Sequence, residues 1–428
     1  MISCSNDNGI SLSNSIKAPQ VDFIKTYGGT KNESGRSVVQ TSDNGYAVLG
    51  FTQSIDGDIS TSKTIVQYDY WLLKFDKDDK LQWQKTYGGS KDDKAYQIIE
   101  TKDKGFAIIG YNKSNDGDIT SNQGFEDVWV LKLDSNGNIS WKTSTGFSGT
   151  DQGFSIIQTS DNGYFIGSIL DVTASGGQGN SRSAARHAGG DYWGIKLNSS
   201  GNIEWRKYFG GKNTDTCYGV VETSDGYLMV GSSDSIDVDI KNNKGSYDFW
   251  IVKIDKTGNL IWEKSLGGDQ IDEARGITAT SDGSFIIIGD TRSANKDVIK
   301  NNGGADVWAT KINSKGDLIW QKNYGGSSFD VGRSIKKTLD GGFIISGSSR
   351  SSDNGIINKG QNDAWVLKID QNGNQQWQKT VGGTEIDFCY DALELSNGNI
   401  IAVGESSSNN QDIITNKGFS DLLIIKLK

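Results

Sequence analysis

The sequence has very little of what most metal enzymes and membrane proteins rely on. Its 428 residues include one histidine, one proline, two methionines and three cysteines, and no apolar run approaches the roughly 20 residues that a membrane-spanning helix needs. The lone imidazole, that of His187, excludes most metal sites and acid–base chemistry built on histidine. Any catalysis would therefore depend on carboxylates, arginine, tyrosine or hydroxyl groups.

Positive charge is also in short supply. The chain carries 44 Lys and Arg against 53 Asp and Glu, which gives a net charge of −9, and the two signs are interspersed along it. A surface of this kind repels the phosphate backbone of nucleic acids. We therefore expect no nucleic-acid partner.

Tryptophan, in contrast, is abundant, and its positions repeat. The spacings along a first column are 58, 64, 57, 58 and 57 residues, and a seventh copy places Leu423 where tryptophan is expected. Each member of a second column follows its partner by 12 residues. The two columns are Trp71, Trp129, Trp193, Trp250, Trp308 and Trp365, and Trp83, Trp141, Trp205, Trp262, Trp320 and Trp377.

The seventh copy of the second column lies at the other end of the chain. Residues 21–29 match residues 81–89, so that Phe23 stands where Trp83 stands. The array is thus circularly permuted by one strand. A closed ring explains this arrangement, because the N-terminal strand then completes the last repeat, whereas an open solenoid would gain nothing from it.

Each repeat has the pattern of four short strands. In the second repeat, strands at 96–101 and 106–111 flank a Lys-Asp-Lys-Gly turn, and strands at 127–134 and 139–145 flank a Ser-Asn-Gly-Asn turn. Seven such units in a circle predict an all-β fold, a seven-bladed β-propeller with four antiparallel strands per blade. We expect residues 21–428 to form this single domain and residues 1–20 to form a flexible tether.

Small and large residues alternate at the start of each innermost strand. The small positions include Gly35, Cys217 and Cys389. This alternation predicts that neighbouring blades interdigitate through the large side chains. Because Cys217 and Cys389 lie three blades apart, we expect no disulfide between them. The large positions are Arg36, Tyr96, Phe154, Tyr218, Arg275, Arg333 and Tyr390.

A short signature recurs at the junction between repeats. It reads Tyr-Gly-Gly-Ser at 87–90 and 324–327, and Asp103 and Asp340 begin the turns that follow. In this signature the chain resembles the seven-bladed β-propeller repeat proteins of bacterial envelopes. The resemblance covers residues 21–428 and implies a surface protein with this fold, but it specifies no activity.

The N-terminal residues resemble the end of a bacterial lipoprotein signal. A small residue precedes Cys4, and a short polar tract follows it, as in surface lipoproteins of the Bacteroidetes. This resemblance implies lipidation of Cys4 and a place at the cell outer membrane, with an extracellular or periplasmic location as the alternative. The membrane would then be contacted only through the lipid anchor.

An acidic residue stands before every innermost strand, in the loop that leads into it. The ring places these seven carboxylates around one mouth of the central channel, where they would form a cation site or a polar ligand cradle. The alternative is that each carboxylate caps the backbone of its own Gly-Gly loop. The seven are Glu33, Asp93, Asp151, Asp215, Asp272, Asp330 and Asp387.

The loop between the second and third strands of each repeat is long and polar. Asp56, Asp58, Asp116 and Asp118 are weak candidates for Ca²⁺ ligands, with Asx turns as the alternative, and no other cofactor is expected. An Asp and a Lys five residues apart recur in each third strand. Because such residues point to opposite faces, we expect them to pair with other loops or blades.

The third repeat has an enlarged version of this loop at 174–190. It contains Arg182, Arg186 and His187 and makes the 64-residue spacing. These three side chains are candidates for contact with an anionic partner or a carboxylated glycan. A Gly/Ser-rich loop with no role is the alternative.

No pattern of catalytic residues emerges from the sequence, which lacks a nucleophile elbow, a histidine-based triad and a phosphate loop. We therefore predict a non-catalytic, surface-exposed platform that binds an envelope protein or a glycan, either as a monomeric propeller or within a larger complex. One alternative is a carboxylate-dependent carbohydrate-active enzyme. The other is a structural subunit of an envelope assembly.

Overall fold

The computed structural model describes residues 17–60, 66–179 and 187–428. In these ranges the chain forms 28 β-strands and one short helix, α1 (Val172–Ser175). The strands make seven sheets of four antiparallel strands. In six sheets the order follows the chain from the axis outward, and in the seventh the first strand of the chain is the outermost. The predicted seven-bladed β-propeller is confirmed.

The blades have nearly equal strands. Blade 1 consists of β2 (Glu33–Gln40), β3 (Tyr46–Thr52), β4 (Asp69–Phe75) and β5 (Leu81–Tyr87). Blade 2 consists of β6 (Asp93–Glu100), β7 (Phe106–Asn112), β8 (Asp127–Leu133) and β9 (Ile139–Thr145). Blade 3 consists of β10 (Gln152–Gln158), β11 (Tyr164–Asp171), β12 (Gly190–Leu197) and β13 (Ile203–Phe209). Blade 4 consists of β14 (Asp215–Thr223), β15 (Gly226–Ser233), β16 (Asp248–Asp255) and β17 (Leu260–Leu266).

The other three blades complete the circle. Blade 5 consists of β18 (Asp272–Ala279), β19 (Phe285–Thr291), β20 (Asp306–Ile312) and β21 (Leu318–Tyr324). Blade 6 consists of β22 (Asp330–Lys337), β23 (Phe343–Ser349), β24 (Asp363–Ile369) and β25 (Gln375–Val381). Blade 7 consists of β26 (Asp387–Glu394), β27 (Ile400–Ser406), β28 (Asp421–Leu427) and β1 (Val21–Tyr27).

Strand β1 is the outer strand of blade 7, as the circular permutation predicts. It pairs with β28 from Tyr27 opposite Leu422 to Val21 opposite Leu427. Two further backbone bonds join Gln20 and Lys428, at 2.8 and 2.9 Å. The first and last strands of the chain therefore hold each other, and the sheet that closes the ring has no missing strand.

The hydrophobic core lies between the blades. Seven buried clusters are present, and each contains side chains from two neighbouring blades, including the pair formed by blades 7 and 1. The first tryptophan column is fully buried in these clusters. Burial of such large rings favours close contact between sheets, so each blade is stabilised by both of its neighbours.

The second tryptophan column packs against the turn of the next blade. Gly137, in the β8–β9 turn, has a φ of +75°, and a Cβ there would lie 2.9 Å from the ring of Trp83. The Tyr87 hydroxyl donates a 2.7 Å hydrogen bond to the Gly137 carbonyl. Glycine is needed at this turn both for the left-handed backbone and for the contact with the ring.

Candidate functional site

Every innermost strand contains a β-bulge at the same position. The register of each pairing with the second strand skips one residue, which is Arg36 in β2 and Tyr96 in β6. A bulge leaves one residue out of the ladder and changes the direction of its side chain. The seven unpaired residues are Arg36, Tyr96, Phe154, Tyr218, Arg275, Arg333 and Tyr390.

These seven residues, here called the axial ring, surround the central channel. All seven line its cavity and are partly exposed. The expectation that neighbouring blades interdigitate through this column holds only in part, because these side chains contact those of the next blade at the axis and not between the faces of the sheets. The physical reason is the bulge, because the alternation of faces along a strand holds only while the ladder is unbroken.

The axial ring is not sevenfold in its chemistry. Blades 2, 3 and 4 supply three aromatic side chains in succession, whereas arginines come from blades 1, 5 and 6. The ring centroid of Phe154 lies 5.0 Å from that of Tyr96 and 5.0 Å from that of Tyr218. One side of the channel is thus aromatic, and the opposite side is rich in guanidinium groups.

The guanidinium groups stack on tyrosines of the same ring. Arg36 lies 3.8 Å and Arg333 lies 5.9 Å from the centroid of Tyr390. Arg275 lies 4.6 Å from the centroid of Tyr218. These cation–π contacts help to orient the arginines, all three of which line the channel.

The charged side chains that line the cavity below the ring are mainly positive. It has a volume of about 330 Å³, and besides the ring it is lined by Lys336, Asp391 and apolar side chains such as Ile157. Its charged lining is therefore three arginines and one lysine against one carboxylate. This excess of positive charge is notable in a chain whose net charge is −9.

The acidic partners of the ring arginines do not line this cavity. Glu405 lies 3.5 Å from Arg36, and Glu273 lies 2.8 Å from Arg275. Burial works to lower the pKa of Arg275, but Tyr218 and Glu273 raise it overall. Burial, together with Arg275 and Arg36, lowers the pKa of Arg333.

Asp391 holds three blades together beside the cavity. It is 4% exposed and accepts hydrogen bonds from Ser37 Oγ at 3.0 Å, Val38 N at 2.9 Å and Ser334 Oγ at 2.6 Å. Lys336 Nζ forms an ion pair with it at 2.6 Å. The single acid of the cavity is therefore fully engaged in structure.

The seven acids before the innermost strands are completely buried. Each accepts a hydrogen bond, 2.6 to 2.9 Å long, from the backbone N–H four residues earlier, in the loop that precedes the strand. The expectation of a carboxylate cluster open to the channel mouth is not met. The loops fold over the acids, because their amide groups need acceptors once they are buried. All seven, namely Glu33, Asp93, Asp151, Asp215, Asp272, Asp330 and Asp387, have no exposed surface.

A second buried carboxylate lies beside each of these acids. Asp248 at the start of β16 approaches Asp272 across Gly267, where a Cβ would lie 2.3 and 2.7 Å from oxygens of the two side chains. Burial and Asp272 raise the pKa of Asp248 to about 7. Burial raises the pKa of Asp151 and of Asp363 to about 7 as well. These pairs are sealed from solvent and therefore from substrate.

The candidate calcium ligands accept hydrogen bonds from backbone N–H groups of the Gly-Gly loops. Asp56 and Asp116 accept hydrogen bonds of 2.8 Å from Thr30 N and Ser90 N, and Asp58 and Asp118 accept from Gly28 N at 3.0 Å and Gly88 N at 3.1 Å. Within the described ranges no three acidic, histidine or cysteine side chains come together as a metal site would require.

The repeated lysines pair with turns, as expected from their spacing. Lys74 forms an ion pair with Asp43 at 2.8 Å in the β2–β3 turn, and the same pairing recurs in blades 2 to 6. Blade 7 has no acid in that turn, and Lys426 instead pairs with Asp79 of blade 1 at 2.5 Å. The turn Asp and the third-strand Lys thus have a structural role.

The enlarged loop of blade 3 is only partly described, and Arg182 and Arg186 lie outside the described residues. His187 is 7% exposed, and its Nδ1 lies 2.6 Å from Asp191 Oδ2. In blade 2 the equivalent oxygen of Asp127 accepts from the backbone N–H of Gln123, also four residues earlier. The expected ligand contact through His187 is not available, because the imidazole fills the place of that backbone donor.

The two cysteines in the described ranges form no disulfide, as expected. Cys217 and Cys389 are buried and unpaired, and burial raises the pKa of both thiols. Cys4 lies outside the described residues, so its predicted lipidation stays a prediction. Among the residues that the structure covers, no helix has the length and apolar character to cross a membrane.

Comparison with known proteins supports the fold and goes no further. No family model matches the chain, and the resemblance to envelope propeller repeats stays a prediction. A stretch of 209 residues is 27% identical to the regulatory protein FlaEY of Caulobacter vibrioides. The match covers 44% of this chain and 21% of that protein. The chain therefore spans about a fifth of the length of this relative.

Solved structures align over almost the whole chain. The WD40 β-propeller domain of Doa1 aligns with a TM-score of 0.53 and 14% identity, covering 96% of this chain and 97% of that one. A gluconolactonase from Xanthomonas campestris aligns with a TM-score of 0.40 and 7% identity, covering 96% and 95%. At these identities the likeness concerns the fold alone.

Sequence reasoning identified the residues of the axial ring but assigned them to packing. The signal that separates them from packing is the loss of symmetry in their chemistry, since positions that pack blades keep one residue type around the circle. The first tryptophan column shows that constancy in six blades. The ring column, with three arginines and four aromatic residues, does not.

Proposed function

We propose that this protein is a non-catalytic binding platform at the bacterial surface, which engages a protein or a glycan at the channel of its propeller. The axial ring and its cavity carry the proposal. At these positions the residue type changes from blade to blade, unlike in the repeated columns. Ligand sites commonly combine apolar walls with a few convergent polar groups. The β-propeller fold is itself typical of interaction platforms.

The loop face, defined as the face that carries the Gly-Gly loops and the loops between second and third strands, supports a macromolecular partner. Three consecutive blades expose an isoleucine there, Ile299, Ile357 and Ile414, with 81, 67 and 80% of each residue accessible. Isolated apolar side chains are ordinary, but large exposed ones at equivalent places in adjacent blades suit a protein contact.

Anchoring forms part of the proposal. Lipidation of Cys4 would hold the propeller at the outer membrane, and residues 5–20 would space it from the lipid. Mass spectrometry of the protein isolated from the bacterium that produces it would show a lipid-modified Cys4. An unmodified, secreted product would contradict the anchor and leave the binding role intact.

Binding is tested by presenting immobilised protein to a glycan array and to solubilised envelope proteins. The test variant is Arg36→Gln with Arg333→Gln, and the matched control is Arg206→Gln. Arg206 is also half-buried and stacked 5.0 Å from an aromatic ring, that of Phe147, but it lies outside the channel. We expect ligand retention by the wild type and the control and its loss in the double variant. Retention by none of the three would refute the platform.

An enzymatic role for the paired carboxylates is the competing candidate, because raised pKa values are common in catalytic acids. The pairs recur at every blade junction and are buried. We therefore expect no hydrolysis of glycoside or lactone substrates. Turnover that disappears in a single carboxylate variant such as Asp272→Asn would favour the enzyme instead.

A further inference from the structure

The cavity of the axial ring has two chemically different sides. Its charged side contains Arg36, Arg275, Arg333 and Lys336, and its aromatic side contains Tyr96, Phe154 and Tyr218. A site of this kind is complementary to a ligand with an anionic group at one end and a ring with an apolar face at the other. Its volume of about 330 Å³ lies within the range of small-molecule sites.

Arg333 is the arginine with the fewest internal commitments. No hydrogen bond or ion pair joins its guanidinium to any residue in the described ranges, although it is partly buried and stacks on Tyr390. Asp290 attracts this cation without forming an ion pair with it, and burial together with Arg275 and Arg36 still lowers the pKa of Arg333. An anion bound in the cavity would therefore stabilise its charged form. The first thing this site lacks is therefore a negative charge.

The other two arginines have donors to spare. Arg36 and Arg275 each pair with a carboxylate that does not line the cavity, and in each the Nε–H is buried without a partner. A guanidinium has five N–H donors in a planar fork that matches a carboxylate in two parallel hydrogen bonds. Asp290, a further acid near Arg275, is buried and also outside the lining, so it does not fill this role.

The aromatic side limits what the rest of the ligand can be. Tyr96, Phe154 and Tyr218 follow one another at centroid separations of 5.0 Å and form a continuous apolar wall. Aromatic rings and the C–H faces of pyranose rings pack well against such a wall, whereas a small hydrated anion such as phosphate leaves it uncovered. The wall therefore favours a ring compound over an inorganic ion.

We propose that the axial cavity binds a small carboxylate that carries a ring with an apolar face, such as a sugar acid, with the carboxylate at Arg36, Arg275 and Arg333 and the ring against Phe154. This assignment rests on the proposed function, for which it names the ligand class. The sugar acid can be free or the end of a glycan, since the cavity recognises the same groups in both.

Titration calorimetry at low salt tests the assignment with four probes. Glucuronate and benzoate combine a carboxylate with a ring, glucose is the neutral match of glucuronate, and inorganic phosphate has charge without a ring. We expect binding of the two ring carboxylates, weakened by added salt, and none of glucose or phosphate. Binding of phosphate or glucose as tightly as glucuronate would overturn the assignment.

Variants locate the site. We expect Arg333→Gln to weaken glucuronate binding about tenfold, as loss of one charged contact does, and Phe154→Leu to weaken both ring carboxylates. Arg206→Gln should leave the affinity unchanged. Because Arg333 makes no internal ion pair, its variant should melt with the wild type, and Arg36→Lys serves as a second variant that keeps the charge but loses the fork. Unchanged affinity in all ring variants would refute the site.

The result also separates this assignment from the function on which it rests. If immobilised protein captures a macromolecule through the axial ring but binds neither glucuronate nor benzoate, the ligand class is wrong and the platform stands. If ring carboxylates bind at the axial ring but no macromolecule is captured, the site is right and the platform is wrong.

Discussion

At the scale of single residues, the protein uses buried carboxylates as connectors. Most proteins keep such groups at the surface, but here the acid that precedes each innermost strand satisfies the amides of a glycine loop. Asp391 extends the same device to the channel, where one side chain bonds to groups from blades 6, 7 and 1. Removal of such a group leaves several buried donors unpaired.

Replacement of Asp391 by alanine should therefore be costly. We expect a loss of about 3 kcal/mol in the free energy of unfolding, because Lys336 and two serine hydroxyls lose their acceptor in a buried place. Chemical denaturation measures the loss. Asp317→Ala, which removes an exposed partner of Lys264, is the control and should change stability by less than about 0.5 kcal/mol. Equal effects would contradict the connecting role.

The paired carboxylates predict that stability falls as the pH rises from about 4 to about 7. Burial raises the pKa of Asp151, Asp248 and Asp363 from 3.8 to about 7 in the folded protein. In this window the folded state binds protons that the unfolded chain has released, so alkalinity favours unfolding. Urea denaturation at pH 5 and pH 8 measures the difference, and greater stability at pH 8 would contradict it.

The turn aspartates set the opposite, acidic limit. Partial burial works to raise the pKa of Asp43, but hydrogen bonds from Lys74 and Thr41 lower it to about 2. The stability that this ion pair contributes is present above pH 4 and is lost as the pH falls toward 2.

Asp248→Asn is the variant that tests the loss of stability between pH 4 and pH 7. It should gain roughly 1 kcal/mol relative to the wild type at pH 8 and less at pH 5.

At the scale of elements, strand β1 is the one that closes the ring. It completes blade 7, and Ile24 and Val21 pack against the cluster between blades 6 and 7. Without it, β28 would be an unpaired edge. The innermost strands have a different role, since their bulges present the axial ring while the flanking residues keep the ladder.

Deletion of residues 21–29 should lower the melting temperature far more than deletion of residues 5–18. The first deletion removes the backbone pairs with β28 and the closure of the ring, and the second shortens the chain before β1. Differential scanning calorimetry of the two variants makes the comparison. A variant without residues 21–29 that fails to fold agrees with closure, and equal melting temperatures would contradict it.

At the scale of the whole molecule, the circle gives every blade two neighbours. Seven inter-blade clusters of similar composition follow one another without a weak junction, including the one between blades 7 and 1. Loss of any blade would expose two of these clusters to water. Closure therefore couples the blades more strongly than an open array of repeats does.

This coupling predicts a single unfolding transition for the propeller, residues 21–428. Tryptophan fluorescence reports on blades 1 to 6, and far-UV circular dichroism reports on every strand. We expect their denaturation curves to coincide in the wild type and to separate in any folded form that lacks residues 21–29. Separate curves in the wild type would show that the blades unfold independently.

Much of the architecture was predictable from the sequence because it is repeated. Two tryptophan columns at a spacing of about 58 residues set the number of blades, and the match of 21–29 to 81–89 set the closing strand. Repetition averages out local ambiguity, so that turns weak in one blade are clear in another. The spacing of Asp and Lys in the third strand likewise ruled out their direct pairing.

The site was less predictable, because it depends on exceptions to the regular pattern. Alternation along a strand assigned Arg36 and its equivalents to the space between blades, and a one-residue bulge turned them to the axis. Burial of Glu33 depends on a segment distant in sequence, since its backbone N–H donates a 2.8 Å hydrogen bond to the carbonyl of Ser420. No local rule reports such approaches.

The sequence by itself thus determined the fold class, the number of blades and the closure by the first strand, since periodicity and chain ends are properties of the sequence. Only the tertiary structure decided which side chains face the channel and which acids are sealed. Those outcomes follow from backbone register and from contacts between blades, which bring the three arginines and four aromatic residues of the axial ring, from all seven repeats, to one axis.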